Sequence, residues 1–267
     1  MKKRNYTFVP LMAALLGVTA AGAADPATPR LAGGHPDLNG NWDNGGGIDF
    51  LKPVTLANGS VCVTGCPAAA GAPAAAPTAR AAPDRPRYKP EVQARVENLR
   101  VRQQKEDPVL RCQPPGVPRI GPPDKIVQTA REVVFLYEDV SGPFFRIVPL
   151  VAGVRRVDDS ESYLGDAAGH WEGDTLVVET RNFNDLTWLT DDGSLHTTGL
   201  VVTERLTRKG NEIDYRAVAS DPAVLAEPWQ LRPRRLVRSE LEMAEPAPCV
   251  EQDMAHMQDE SFHTNPR

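Results

Sequence analysis

The sequence predicts an all-β protein with minor helix, namely an antiparallel, lipocalin-like β-barrel behind an irregular N-terminal extension. First, residues 126–243 contain several short segments rich in β-branched and aromatic residues. Second, turn signals separate these segments, and no helical pattern of about 10–15 residues lies between them, which disfavours a parallel α/β fold. Third, 25 prolines and 21 glycines in 267 residues argue against a mainly helical chain.

Residues 1–23 are predicted to be a cleavable signal peptide. The basic residues at positions 2–4 precede an apolar stretch over 8–20, and Ala-Gly-Ala at 21–23 is typical of a cleavage site. A membrane anchor is the alternative, but this stretch is shorter than the roughly 20 residues that a spanning helix needs. We therefore expect a periplasmic or secreted protein with no membrane insertion after cleavage.

Residues 24–124 are predicted to wrap around the barrel. A Gly-x-Trp sequence indicates a first strand within 38–45, and 14 of the 18 residues over 67–84 are Ala or Pro, which is typical of a linker. A helix is expected over 89–106, with its narrow apolar stripe against a larger body. Residues 107–124 contain six prolines and are expected to cross the surface as irregular chain.

Residues 125–251 are predicted to form the main part of the barrel, and 252–267 a polar tail. Turns are expected at 172–174, 192–193 and 209–211, because Gly beside Asp or Asn is typical of hairpin reversals. The expected strand segments are IVQTAREVVFLYED, FFRIVPL, HWEGDTLVVETRNF, LVVTERLTR, NEIDYRAVAS and RRLVRSELEM.

Four cysteines in an exported chain suggest two disulfides. Cys62 and Cys66 are close enough for a local loop, and Cys112 with Cys249 would then join the start of the folded region to its end. Three connectivities are possible in principle, and a zinc site is the rival interpretation of the Cys-x3-Cys spacing.

Charge and motifs exclude several functional classes. A formal charge of −5 without a basic stripe makes nucleic acid an unfavourable partner. The chain has no G-x-S-x-G, P-loop, H-E-x-x-H or dinucleotide-binding G-x-G-x-x-G motif. We therefore expect neither a bound cofactor nor a metal, so any chemistry would depend on side-chain acids and bases.

Strand alternation selects candidate site residues. Glu204 lies on the more apolar face of residues 200–208, where a carboxylate is either paired structurally or able to act as an acid or base. Tyr215 shares the apolar face of its strand, as a core residue or a ligand contact. Arg181 is either half of an exposed ion pair with Glu179 or a buried anion clamp.

Further candidates lie near predicted turns. His196 follows a turn and could exchange protons at a barrel rim, although a surface role is the simpler reading. Asp221 precedes a proline at a strand end, where a turn role competes with a catalytic one. Trp171, Trp188 and Trp229 could stack on a flat ligand or plug the barrel floor.

The chain resembles a family of exported bacterial proteins with a W-E-G-D-T-L-V-V-x-T hairpin. The match spans roughly residues 36–251, and this resemblance implies a lipocalin-like fold more than an activity. The matching motifs are Pro36 to Trp42, Cys112 to Arg119, Trp171 to Thr180, Val202 to Arg205, Asp221-Pro222, Pro228-Trp229 and Cys249.

Two functional hypotheses follow. The first is a cofactor-independent lyase, isomerase or hydrolase for a small apolar or aromatic molecule. His196 and Glu204 would be its acid/base pair, Asp221 would assist, and Tyr215 and Arg181 would stabilise oxyanion charge. The second is a non-catalytic carrier of a similar ligand. The sequence leaves open the substrate and the oligomeric state.

Overall fold

The computed structural model describes residues 27–43, 54–55, 61–62, 85–151, 160–245 and 248–249. Strands dominate this part of the chain, as predicted, and helix is confined to one N-terminal region. The strands are β1 (Gly40–Asp43), β2 (Val54–Thr55), β3 (Val61–Cys62), β4 (Lys125–Gln128), β5 (Glu132–Asp139), β6 (Gly142–Pro149), β7 (Asp166–Glu172), β8 (Thr175–Arg181), β9 (Val201–Lys209), β10 (Glu212–Ser220), β11 (Trp229–Gln230) and β12 (Arg234–Ser239). The helices are α1 (Pro90–Val101) and α2 (Gln103–Glu106), followed by a 3-10 turn over Pro108–Arg111.

One antiparallel sheet forms a nearly closed barrel, which confirms the predicted fold class. Its strand order is β6-β5-β4-β1-β12-β10-β9-β8-β7, with β11 paired to β10, while β2 and β3 form a separate hairpin. The two ends of the sheet approach each other at Gly169 of β7. A side chain there would meet Val148 and Leu150 within 3 Å, so glycine permits the close contact.

The N-terminal strand is an integral part of this barrel. β1 pairs with β12 on one side and with β4 on the other. The side-chain amide of Gln128 holds the residues just before β1, because it accepts a hydrogen bond from Leu38 N and donates one to Pro36 O. The predicted first strand is thus confirmed, over 40–43 of the expected 38–45.

Two hydrophobic clusters fill the fold. The barrel cluster contains inward-facing residues from the strands: Leu38, Trp42, Ile126, Val133, Phe135, Tyr137, Val148, Leu176, Val178, Leu206, Ile213, Tyr215, Ala217 and Leu236. The second cluster combines strand ends with loops: Tyr88, Val117, Phe183, Leu189, Leu195, Leu200, Val202, Ala219, Val224, Leu225 and Trp229. The apolar stripe of α1 packs against the second cluster, as expected for a helix lying on a larger body.

The proline-rich segment over 107–124 is more deeply packed than predicted. Val117 is 1% exposed and joins the second cluster, and Val109 is also buried. Proline prevents regular structure here but does not prevent burial, because its ring is apolar and its missing N–H needs no partner. This segment is therefore part of the core packing and not only a surface crossing.

Two predicted elements are divided in the structure. The segment over 126–139 forms β4 and β5, because the hydroxyl of Thr129 accepts hydrogen bonds from Arg131 N and Glu132 N and reverses the chain. The helix expected over 89–106 breaks at Arg102 into α1 and α2. The turn at 192–193 is present, but it does not connect two strands of a hairpin. The chain on its two sides pairs only through an isolated bridge between Trp188 and Leu195.

The predicted disulfide between Cys112 and Cys249 is confirmed. It closes a separation of 137 residues and fastens the C-terminal end of the described chain to the proline-rich segment. The expected Cys62–Cys66 pair is not tested, because Cys62 ends β3 but Cys66 lies outside the described residues, as do the signal peptide, the 67–84 linker and the polar tail. Neither described helix has the length and apolar character needed to cross a bilayer.

Candidate functional site

Arg146 of β6 and Glu204 of β9 form an ion pair inside the barrel. Two hydrogen bonds join them: Nη2 donates to Oε2 at 2.6 Å and Nη1 to Oε1 at 3.1 Å. The Glu204 side chain is 0% exposed, and that of Arg146 is 3% exposed. The inward orientation that alternation predicted for Glu204 is confirmed. Because a buried carboxylate is costly without a counter-charge, Arg146 is its required partner.

Three hydroxyl groups surround this pair. Tyr215 donates its hydroxyl hydrogen to Glu204 Oε1 at 2.9 Å. Arg146 Nη1 donates to Tyr137 Oη at 3.0 Å, and Nη2 donates to Thr180 Oγ1 at 2.7 Å. We call these five residues the central network. Its members come from β5, β6, β8, β9 and β10, so it connects strands from both halves of the sheet.

The two tyrosines and the arginine of the central network keep their protons over the ordinary pH range. Burial raises the pKa of Tyr215, and the adjacent Glu204 carboxylate raises it further. Burial likewise raises the pKa of Tyr137. Burial alone would lower the pKa of Arg146, but attraction to Glu204 outweighs that effect and raises it. The tyrosines therefore remain protonated donors or acceptors beside a charged guanidinium.

The burial of Arg146 was not predicted from the sequence, because β6 has apolar residues on both faces. Phe145 and Ile147 point outward and are 62% and 49% exposed, whereas Arg146 and Val148 point inward. Alternation alone gave no reason to bury the arginine face. The sequence did offer one indication. A glutamate that points into the barrel requires a cation beside it, and Arg146 is the one charged residue of β6.

His196 is buried beside Phe183 of the second cluster and is not exposed at a rim. Its ring is edge-on to Phe183, with ring centres 6.1 Å apart. Nδ1 lies 3.0 Å from Thr197 O, and Nε2 lies 2.7 Å from Thr187 Oγ1. A carbonyl only accepts, so Nδ1 carries the proton, and the neutral ring accepts from Thr187 at Nε2. Burial lowers the pKa of His196, which favours this neutral form.

Asp221 holds the turn that follows β10. Its carboxylate accepts hydrogen bonds from Thr197 N at 2.6 Å and from Ala223 N at 3.1 Å, and it also accepts from the Thr197 hydroxyl. Its backbone carbonyl accepts from Val224 N and Leu225 N. Thr197 thus links Asp221 to His196 in one group, whereas Glu204 belongs to the central network. Within the described chain, no hydrogen bond joins these two groups.

The other predicted contact residues are dispersed. Arg181 is 61% exposed and pairs with Glu179 at 2.7 Å, so it lies on the outer surface and is not a buried anion clamp. Trp171 stacks on His35, with ring centres 4.6 Å apart. Trp188 is buried beneath the guanidinium of Arg119. Trp229 is buried in the second cluster.

Tyr215 and Trp229 come together at a cavity of about 370 Å³. The cavity lies between the proline-rich segment, the loop after β8 and the chain over 229–234. Its lining residues are Pro118, Arg119, Gly121, Pro122, Leu189, Thr190, Asp191, Tyr215, Trp229, Leu231, Arg232, Pro233 and Arg234. It therefore combines aromatic and aliphatic walls with charged groups, as small-molecule sites commonly do.

No group of three His, Cys, Asp or Glu side chains within the described ranges is arranged to hold a metal ion.

Replacing Glu204 by Gln is expected to destabilise the fold by about 3–5 kcal/mol, because Arg146 would keep a buried charge without its counter-ion. Urea unfolding followed by far-ultraviolet circular dichroism measures this effect. Glu179→Gln is the matched control, since it removes a carboxylate from an exposed Glu–Arg pair worth at most about 1 kcal/mol. Equal stability of the two variants would contradict a structural role for the central network.

The pH dependence of stability should contain a contribution from His196. Its folded pKa lies below the value of 6.5 expected in the unfolded chain, so the unfolded state binds the proton more readily. This contribution is complete above pH 6.5 and is lost as the pH falls through the folded pKa. His196→Gln should therefore flatten the loss of unfolding free energy between pH 7 and 5, as measured by urea unfolding at each pH. Parallel pH profiles for wild type and His196→Gln would disprove this assignment.

Comparisons of the chain with protein-family models, with curated proteins and with solved structures found no match. The family resemblance seen in the W-E-G-D-T hairpin therefore stays a prediction, and the function is inferred from the geometry of this chain alone.

Proposed function

We propose that this protein is an exported carrier that binds a small apolar or aromatic molecule in the cavity beside Tyr215 and Trp229. The main support for this proposal is the cavity itself. Its volume of about 370 Å³ is within the usual range of small-ligand sites, roughly 300–1,000 Å³. Leu189, Leu231 and the prolines supply apolar area, and Trp229 offers an aromatic surface on which a flat ligand can stack.

A binding role is favoured because the candidate acid and base groups already have partners. Both oxygens of Glu204 accept hydrogen bonds, and both ring nitrogens of His196 are engaged. A proton-transfer residue needs a free position within reach of the substrate. Here the two groups maintain separate parts of the fold, which supports a carrier more than an acid/base enzyme.

The acid/base enzyme is the second candidate, and one observation favours it. Tyr215 lines the cavity and also donates its hydroxyl hydrogen to Glu204, so one polar side chain connects the cavity to the ion pair. In this version Tyr215 would approach the ligand and Glu204 would act through it. His196, Asp221 and the exposed Arg181 would have no part in that step.

Export is proposed on two grounds. The predicted signal peptide is the first, and the Cys112–Cys249 disulfide is the second, because such bonds persist in oxidising compartments. The expected compartment is therefore the periplasm or the extracellular medium.

Filling the cavity tests the binding proposal. Leu231→Trp should weaken binding of aromatic compounds at least tenfold, because the larger ring occupies the space of the ligand. Isothermal titration of the purified mature protein with a panel of lignin-, terpenoid- and ester-type compounds provides the measurement. Leu186→Trp is the matched control, since Leu186 is 54% exposed and does not line the cavity. Equal affinities for both variants, or no binding by the wild type, would refute the proposal.

Mass spectrometry of the same mixtures separates carrier from enzyme. The carrier predicts that every bound compound is recovered unchanged. Conversion of a compound by the wild type, and its loss in Tyr215→Phe, would instead establish the enzyme.

A further inference from the structure

The cavity contains one arginine whose position is fixed by the fold. The side chain of Arg119 is 7% exposed, and its Nη1 and Nη2 atoms donate to the two carboxylate oxygens of Asp107, each at 2.8 Å. Asp107 is itself buried and also accepts from Val109 N. The ring of Trp188 lies against the guanidinium, 5.7 Å from its central carbon. These contacts fix both the plane and the direction of the Arg119 fork.

The Nε side of this guanidinium has a weaker contact than the side that faces Asp107. Nε donates to Asp191 Oδ1 at 2.8 Å, and this is the single hydrogen bond between the two residues. The Asp191 side chain is 90% exposed, in contrast to the buried Asp107. Because its carboxylate is exposed to solvent and Asp107 keeps the guanidinium paired, Asp191 can leave Arg119 at small cost. Both residues line the cavity.

The charges around the cavity favour an anionic ligand. Arg119, Arg232 and Arg234 line it, and among the lining residues that the structure describes Asp191 is the single carboxylate. Positive groups that converge on a cavity with apolar walls attract an anion and orient it.

We propose that the ligand of this cavity carries a carboxylate, which binds Arg119 in place of Asp191. This inference rests on the proposed function, because it specifies the chemistry of the same site. A planar carboxylate can contact two N–H groups along one side of a guanidinium, whereas Asp191 contacts one. Asp191 is thus an internal substitute that keeps Arg119 partnered when the cavity is empty, and a ligand with an apolar body beside Trp229 displaces it.

The probes for this inference are 2-naphthoate and its neutral amide, 2-naphthamide, which have nearly the same shape. Isothermal titration should show naphthoate binding to the wild type at least tenfold more tightly than naphthamide. Asp191→Asn should strengthen naphthoate binding two- to fivefold, because it removes the internal competitor, and should leave naphthamide unchanged. Arg119→Lys should reduce the preference for naphthoate, since lysine keeps the charge near Asp107 but lacks the planar fork.

Asp185→Asn is the matched control for Asp191→Asn. Asp185 is an exposed residue of the same loop, so its substitution changes the net charge equally without altering the Arg119 contact. A smaller effect in this variant separates the local contact from the overall field of the protein.

Each other outcome overturns the inference in a distinguishable way. Equal affinities for the two probes, with Asp191→Asn behaving like Asp185→Asn, would refute the carboxylate and leave the binding site standing. Weaker naphthoate binding by Asp191→Asn would show that Asp191 supports the site and does not compete for it. Failure of both probes to bind would refute this inference together with the proposed binding of aromatic molecules.

Discussion

The buried attraction between Arg146 and Glu204 is the constraint on which the barrel depends. Each charge would be strongly unfavourable in the apolar interior by itself, and each is compensated by the other through two hydrogen bonds. Because Arg146 lies on β6 and Glu204 on β9, the pair can form only when the two ends of the sheet curve toward each other. Tyr215 on β10 donates to Glu204, and Thr180 on β8 accepts from Arg146, so closure of the sheet also brings these hydroxyl groups to the ion pair.

This arrangement determines where a ligand can bind. The barrel interior is occupied by the central network and by aromatic and aliphatic side chains. The described cavity lies instead where the proline-rich segment and the loop after β8 meet the chain over 229–234. The cis peptide bond before Pro118 and the ion pair between Asp107 and Arg119 belong to this region. The N-terminal extension is therefore part of the proposed binding site as well as of the core.

The sequence predicted the fold class and the inward orientation of Glu204 and Tyr215, because β9 and β10 alternate between apolar and polar residues with period two. Arg146 was not predicted to point inward, because β6 has apolar residues on both faces. The alternation of its residues therefore does not show which face is buried. The burial of His196 could not be inferred, since its loop has no periodic pattern and its partners depend on how that loop folds back. The cavity was equally inaccessible: its lining comes from segments more than 100 residues apart, and only Tyr215 and Trp229 were among the candidates.

A crystal structure of the protein with 2-naphthoate bound tests the binding site and the ion pair together. We expect the naphthyl ring beside Trp229, the carboxylate on the guanidinium of Arg119, Asp191 released toward solvent, and the Arg146–Glu204 contacts unchanged. A ligand found within the barrel, with Glu204 separated from Arg146, would contradict both the structural role of the ion pair and the position of the binding site.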